Sequence, residues 1–269
     1  MTSVEKVYRI LELLRRHYRT GLTNKEISTR LGMPPSTCYR LMKHMKLFDF
    51  VSQRKVDKRF FLGFSHLRYA DALVGGMDIP AVCLPYLERI HTQTKETTFL
   101  SLFSGQHSIV IELCGNINML ISIARGEVMP MHCAASGKAI LAFLPEPEQE
   151  RILGGLDFHV FTEHTITDSA GLKAQLKEIY ETGVAYNLRE YYLETMALAT
   201  PIFKRQNLVI GALAIVSNSK DIDDRQMARY AELLLAHSAA VTSDLGGEFP
   251  AWLEAKSLPV AGIVRRVAH

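Results

Sequence analysis

The sequence predicts an α/β (α+β) chain in two parts: a small helical head closed by a hairpin, and a larger body in which strands and helices alternate. Three observations predict it. Charge is unevenly spread: residues 1–70 hold 15 Lys+Arg against 5 Asp+Glu, a balance of +10, and the rest hold 16 against 23, a balance of −7. The first 48 residues carry helix-type patterning broken twice by turn residues. Beyond about residue 95, strand-like runs alternate with helical ones. With 48% hydrophobic residues in 269, the chain can bury a sizeable core. Its longest apolar run, 208–216, is too short to span a bilayer, and the first six residues carry no apolar export segment. Cys38, Cys83, Cys114 and Cys133 lack metal or redox spacing and read as reduced thiols of a cytoplasmic protein.

Residues 3–18 read as a helix, with Val4, Val7, Leu11, Leu14 and Tyr18 at helical spacing and Ser3 as cap. Thr23 and Glu26 form a capping box for a short helix over 24–31, with Ile27 and Leu31 inward, and Gly32 suits its C-cap. Pro34 and Pro35 fit a first helical turn. The next helix, 36–48, places Cys38, Leu41, Met42 and Met45 inward. Residues 50–53 and 59–62 flank a basic connection and predict a hairpin, with Phe60 and Leu62 on one face. A helix over 65–73, closed by Gly75 and Gly76, reads as a linker. Asp78 can cap a helix over 79–94 with Leu84, Leu87 and Ile90 inward and Pro85 as a possible kink. Strands are expected at 97–103, 108–114, 119–124, 184–187, 196–203 and 209–217. Helices are expected at 137–143, 146–153, 170–182 and 224–245, the last with Met227, Leu234, Val241 and Leu245 at roughly helical spacing. The expected divisions are 1–64, 65–77, 78–246 and a tail, 247–269.

Three short helices followed by a basic hairpin describe a winged helix-turn-helix, in which the third helix enters a major groove. A basic head on an acidic body fits a polyanion partner. The candidate DNA-contacting residues are Thr23 at the second helix, then Ser36, Thr37, Tyr39, Arg40, Lys43 and His44 on the polar face of the third. Wing residues Arg54, Lys55 and Lys58 would track the backbone or reach the minor groove. Arg15, Arg16 and Arg19 add general positive field.

Residues 3–7 (Ser-Val-Glu-Lys-Val), 10–14 (Ile-Leu-Glu-Leu-Leu), 22–27 (Leu-Thr-Asn-Lys-Glu-Ile) and 31–41 (Leu-Gly-Met-Pro-Pro-Ser-Thr-Cys-Tyr-Arg-Leu) resemble the IclR family of bacterial regulators. The resemblance continues through Phe61-Leu62-Gly63, the run Pro130 to Ala142, Phe161 to Asp168, Gly183 to Tyr186 and Ala199 to Ile202. It spans roughly 3–246. It implies an N-terminal winged helix, a linker helix and a C-terminal GAF-like α/β effector domain with a mainly antiparallel sheet. It also implies a double-stranded DNA operator and a homodimer or homotetramer. The implied effector is a small molecule: an organic acid, a sugar-derived or an aromatic metabolite. By matching positions, the effector pocket falls near Gly126, Met129, Met131, His132, Asn187, Glu194, Ala197 and Ser217. The chain departs from the family's commoner residues: Asn187 replaces an Asp, Glu194 a Gly and Ala197 a Cys, while Pro35 stands for a basic residue and Tyr39 for a His. His132 could offer an acid a positive partner, and Asn187 and Ser217 neutral hydrogen bonds.

No cofactor, metal or membrane partner is expected. Catalytic motifs of the Gly-x-Ser-x-Gly or His-Glu-x-x-His kind are missing from the sequence, and no catalysis is expected. His159, Glu163 and His164 form the densest His/acid cluster but supply weak metal spacing. Lys138 in Ser-Gly-Lys lacks phosphate-loop spacing and reads as structural. Redox sensing through Cys114 or Cys133 and nonspecific DNA coating are the alternatives.

Overall fold

The computed structural model describes residues 2–76, 78–115, 123–220 and 222–254. Contacts divide the chain into two units, 1–77 and 78–269.

The first unit comprises α1 (Ser3–Arg16), α2 (Asn24–Arg30), α3 (Pro35–Leu47), an antiparallel hairpin β1 (Val51–Gln53) and β2 (Phe60–Leu62), and α4 (Ser65–Gly75). Thr2, not Ser3, caps α1: its Oγ1 accepts the Glu5 N–H at 3.2 Å. The helix stops at Arg16, short of Tyr18. Of the expected apolar stripe only Leu14 is fully buried, joined by Ile10, while Val7 and Leu11 pack partly. Val4 and Tyr18 are exposed, because the core formed with Leu22, Ile27, Met42 and Phe60 covers only the middle of the helix. The capping box is formed: the Thr23 N–H donates to Glu26 Oε2 at 2.7 Å and the Glu26 N–H to Thr23 Oγ1 at 3.3 Å. Cys38, Met42 and Met45 point α3 into the core, and Leu41 is half-buried. After the hairpin the chain passes so close to the end of α3 that a Cβ on Gly63 would lie 1.9 Å from the Asp49 carbonyl oxygen. The Gly63 N–H donates to the Phe50 carbonyl at 3.0 Å, and Ser65 Oγ to that of Asp49 at 2.6 Å. These bonds tie the wing and the start of α4 to the same turn.

The second unit runs α5 (Asp78–Thr94), β3 (Thr97–Phe103), β4 (Ser108–Cys114), β5 (Val128–Met129), α6 (Ala135–Ala142), α7 (Glu146–Gly155), α8 (Ser169–Thr182), β6 (Ala185–Leu188), β7 (Thr195–Lys204), β8 (Leu208–Asn218), α9 (Asp224–Asp244) and α10 (Ala251–Glu254). Its strands form one antiparallel sheet in the order β5-β4-β3-β8-β7-β6. Helices α5 and α9 pack on one face, and α6, backed by α8, on the other. Asp78 lies inside the first turn of α5 rather than ahead of it, and α5 continues through Pro85 as one element. The strand expected at 119–124 falls mostly on 116–122, outside the described residues; 123 and 124 are not in a strand. A two-residue strand instead pairs Val128 with Ile109 and Met129 with Ser108. The expected 247–269 tail is described only to Glu254 and carries α10.

The α6 face of the sheet is floored by small side chains. Ala197, Ala199, Ala212 and Ala214 are buried there with Ala135 and Ala139 of α6. Ala199 stands opposite Ala214, and Ala197 opposite Val216. With so little side chain between them, α6 sits close on the sheet, and dispersion contacts are made nearly backbone to backbone.

Candidate functional site

The head presents one polar helix face. Ser36, Tyr39, Arg40, Lys43 and His44 on α3 are exposed and Thr37 is half-buried, while Cys38, Met42 and Met45 fill the opposite side. Sequence and structure agree on this set because the period of 3.6 fixes both faces at once. The other candidates in the head divide. Lys55 and Lys58 are exposed on the wing. Arg54 is already engaged: its Nη2 reaches Asp57 Oδ2 at 2.6 Å, and its guanidinium lies 4.9 Å from the Phe61 ring centre. That hydrogen bond pulls the Asp57 carboxyl down to about 2, so the pair stays ionised at neutral pH. The Thr23 hydroxyl donates to Glu26 at 2.9 Å, which makes it first a cap. The sequence reading missed Arg59. Its Nη1 donates to the Gly21 carbonyl at 2.9 Å and to Glu26 Oε2 at 3.2 Å, strapping the wing to the start of α2.

In the second unit the eight candidate positions do not converge. Met129, Asn187 and Ala197 line a narrow inner cavity of about 20 Å³ between the sheet and α6, with Phe99, Tyr191 and Val216. Met129, Met131 and His132 line a larger outer cavity of about 380 Å³, bounded by α7 and the loop after it. Met129 thus borders both. Gly126 and Glu194 are exposed and border neither. Gly126 serves a turn, with φ +82° and its N–H on the Val110 carbonyl. Ser217 is buried but on the wrong face. It follows Val216, which lines the inner cavity, and successive strand residues point to opposite faces, so its hydroxyl is directed toward the α5/α9 side, where it has no hydrogen-bond partner among the described residues.

His132 is not a cation. Its Nε2–H donates to the His159 carbonyl at 3.0 Å, its ring stacks on Phe161, and burial holds its pKa below the ordinary value. It is a neutral wall, which corrects the expectation of a positive partner for an acid. Asn187 Oδ1 accepts the Glu190 N–H at 2.8 Å, leaving the amide nitrogen as the donor for the cavity this residue lines. The aromatic pair Tyr191 and Tyr192, centroids 4.3 Å apart, was missed although it lies between two expected positions.

Lys138 is structural, as expected, but through a tertiary bond. Its fully buried Nζ donates to both Glu190 oxygens at 2.7 Å and to Gln175 Oε1 at 2.8 Å. Thr162 and Thr165 hydroxyls donate to the Arg189 and Glu190 carbonyls at 2.7 and 2.6 Å. The corner behind Asn187 is therefore held from α6, α8 and the 157–168 loop together. His164 approaches Glu163 only to 3.8 Å, and among the described residues no three His, Cys, Asp or Glu are grouped to hold a metal ion. Burial pushes Cys38 up to about 11 and Cys83 and Cys133 to about 12, and raises Cys114 as well, which leaves little thiolate for redox sensing.

Residues 3–55 match the family described as "IclR helix-turn-helix domain", and residues 71–243 that described as "Bacterial transcriptional regulator IclR C-terminal". The chain belongs to the IclR family of bacterial transcriptional regulators. It is 28% identical over 245 residues to the HTH-type transcriptional regulator XynR of Escherichia coli K12, covering 91% of this chain and 97% of that protein. An IclR-type transcriptional regulator from Alicyclobacillus acidocaldarius aligns at 28% identity and TM-score 0.75 over 91% of this chain and 98% of its own. An IclR homologue from Microbacterium hydrocarbonoxydans, complexed with 4-hydroxybenzoate, shares the fold at TM-score 0.73 and 23% identity, over 91% and 99% of the two chains. The IclR chain described here is accordingly a helix-turn-helix, DNA-binding transcriptional regulator, and its relatives are named regulators rather than enzymes. No single helix among the described residues is long and apolar enough to cross a membrane.

Proposed function

We propose that this regulator reads its operator through the exposed face of α3, with Lys55 and Lys58 of the wing on the flanking backbone. It acts in the cytoplasm as a homodimer or homotetramer, under control of a small molecule held in the inner cavity. The observation that carries the DNA reading is the polar stripe Ser36–Tyr39–Arg40–Lys43–His44 on a head of net charge +10. Short hydroxyl side chains at the start of α3 permit close approach to phosphates and base edges, and the cations behind them neutralise phosphate. The exposed apolar residues Val4, Tyr8, Leu67 and Leu73 on α1 and α4 support self-association of the head.

The inner cavity is lined by apolar walls with Asn187, Thr195 and two tyrosines as neutral polar groups, and by no cation. That chemistry suits a flat, partly apolar metabolite with a hydrogen-bonding head, an aromatic acid or phenol before a charged sugar acid. At about 20 Å³ the cavity is smaller than any such molecule, so binding must displace its walls. Displacement of that kind is what a coupling to DNA affinity of about 1–3 kcal/mol requires, carried through residues 65–77.

Arg40→Ala in the full chain tests the reading. On a duplex selected by the protein from a random library, affinity measured by fluorescence anisotropy should fall by about fivefold or more, corresponding to about 1–3 kcal/mol. Unchanged affinity would show that α3 is not the reading helix.

A further inference from the structure

The outer cavity is separate from the inner one and has its own chemistry. Its volume of about 380 Å³ is in the range of small-molecule sites. Met131, Ile152, Leu156 and Phe161 make an apolar floor and side. One wall is aromatic: the His132 ring stacks on Phe161 at 6.0 Å and 26°, and His132 is met edge-on at 5.6 Å by Phe158, which packs against the core rather than on the lining. Arg151 stands at the mouth. Its Nη2 donates to the Gly105 carbonyl at 2.7 Å, with Glu148 at 3.5 Å. A guanidinium has five N–H donors in a fixed fork, so these contacts through Nη2 orient the group and leave Nε and Nη1 to donate elsewhere. Asp157 is the one acid on the lining, and it is exposed.

We infer that the outer cavity is a second small-molecule site, for an aromatic monocarboxylate whose ring lies against Phe161 and His132 and whose carboxylate pairs with Arg151. A planar body matches the flat wall, and a carboxylate matches a preoriented guanidinium in charge and as an acceptor of its remaining N–H groups. An occupant would press on Phe161, whose ring meets Tyr191 of the inner cavity at 4.8 Å and 88°, and on Met129, common to both cavities. The two sites would thus feel each other without sharing a ligand.

The test uses the full chain and ¹⁹F NMR titration of 4-fluorobenzoate, with benzylamine as the opposite-charge control. Gly155→Phe is the decisive variant. Gly155 ends α7 on the cavity lining, a Cβ there meets nothing within 4 Å, and its backbone conformation is ordinary, so a phenyl ring can be placed on the lining without a Cβ clash or backbone strain. A saturable outer-site binding step is expected in the parent, weakened at least tenfold by Arg151→Ala and removed by Gly155→Phe, with benzylamine not competing, while any binding of the probe in the inner cavity, which neither residue lines, is unchanged. A titration identical in the parent and in Gly155→Phe would assign all binding of the probe to another site and overturn the inference. So would saturable binding absent up to about 10 mM, or benzylamine bound as tightly as the acid.

Discussion

Replacing Lys138 by methionine keeps the length of the side chain and removes its ammonium. Glu190, with 5% of its side chain exposed, would then be left buried without the partner that now also meets Gln175 and the Tyr186 ring. Burial already lowers the pKa of Lys138 and raises that of Glu190, and in both residues it outweighs their mutual attraction. The pair is thus a costly arrangement made tolerable by its geometry, and breaking one side of such a pair costs about 3–5 kcal/mol. Neutralising both sides should restore most of that, so Lys138→Met with Glu190→Gln should lie within about 1.5 kcal/mol of the parent. Urea unfolding followed by fluorescence of Trp252, the only tryptophan and part of the same unit, reads the effect directly. A loss below about 1 kcal/mol in the single variant, or a double variant as unstable as the sum of the two singles, would refute the argument that this ion pair holds the corner behind Asn187.

Asp57→Asn should release Arg54 toward a duplex, tightening DNA binding and steepening the log–log salt dependence by up to about 0.9, as for one further phosphate; anisotropy at four salt concentrations measures both, and unchanged binding would remove Arg54 from the wing contact. Hydrogen bonds from Thr23, then the Arg59 charge, hold Glu26 below its ordinary 4.5, so it favours the folded head above pH 4.5 and that contribution fades as pH falls through the folded value. Hydrogen exchange of α2 amides between pH 3 and 6 should therefore show acid loosening in the parent that Glu26→Gln largely removes; equal pH dependence in the two proteins would count against this.

The head was readable because its instructions are local. The capping box at Thr23, the prolines before α3 and the 3.6-residue spacing of Cys38, Leu41, Met42 and Met45 each act within one or two turns of chain. The body was readable as strands and helices, but its site was not. Whether Ser217 or Val216 faces the cavity depends on register, and a shift of one residue reverses the answer. Lys138 and Glu190 lie 52 residues apart in sequence, so no local pattern joins them. His132 looked like a cation because its residue type allows it; burial among the surrounding rings lowers its pKa, and outweighs the His159 carbonyl, which favours the charged form. The two-residue strand at Val128 is below the length any alternation can reveal.

The alanine floor beneath α6 bears on how a new specificity could arise. Ala199 and Ala214 lie where the helix is pressed against the sheet, and a larger side chain there would lift α6 and unseat Lys138 with it. Ala197 belongs to the same row but reaches the inner cavity, beyond the tightest packing. If the inner cavity holds the effector as proposed, residue 197 can be exchanged to suit a different molecule while 199 and 214 stay fixed, so adaptation and architectural constraint sit two residues apart on one strand.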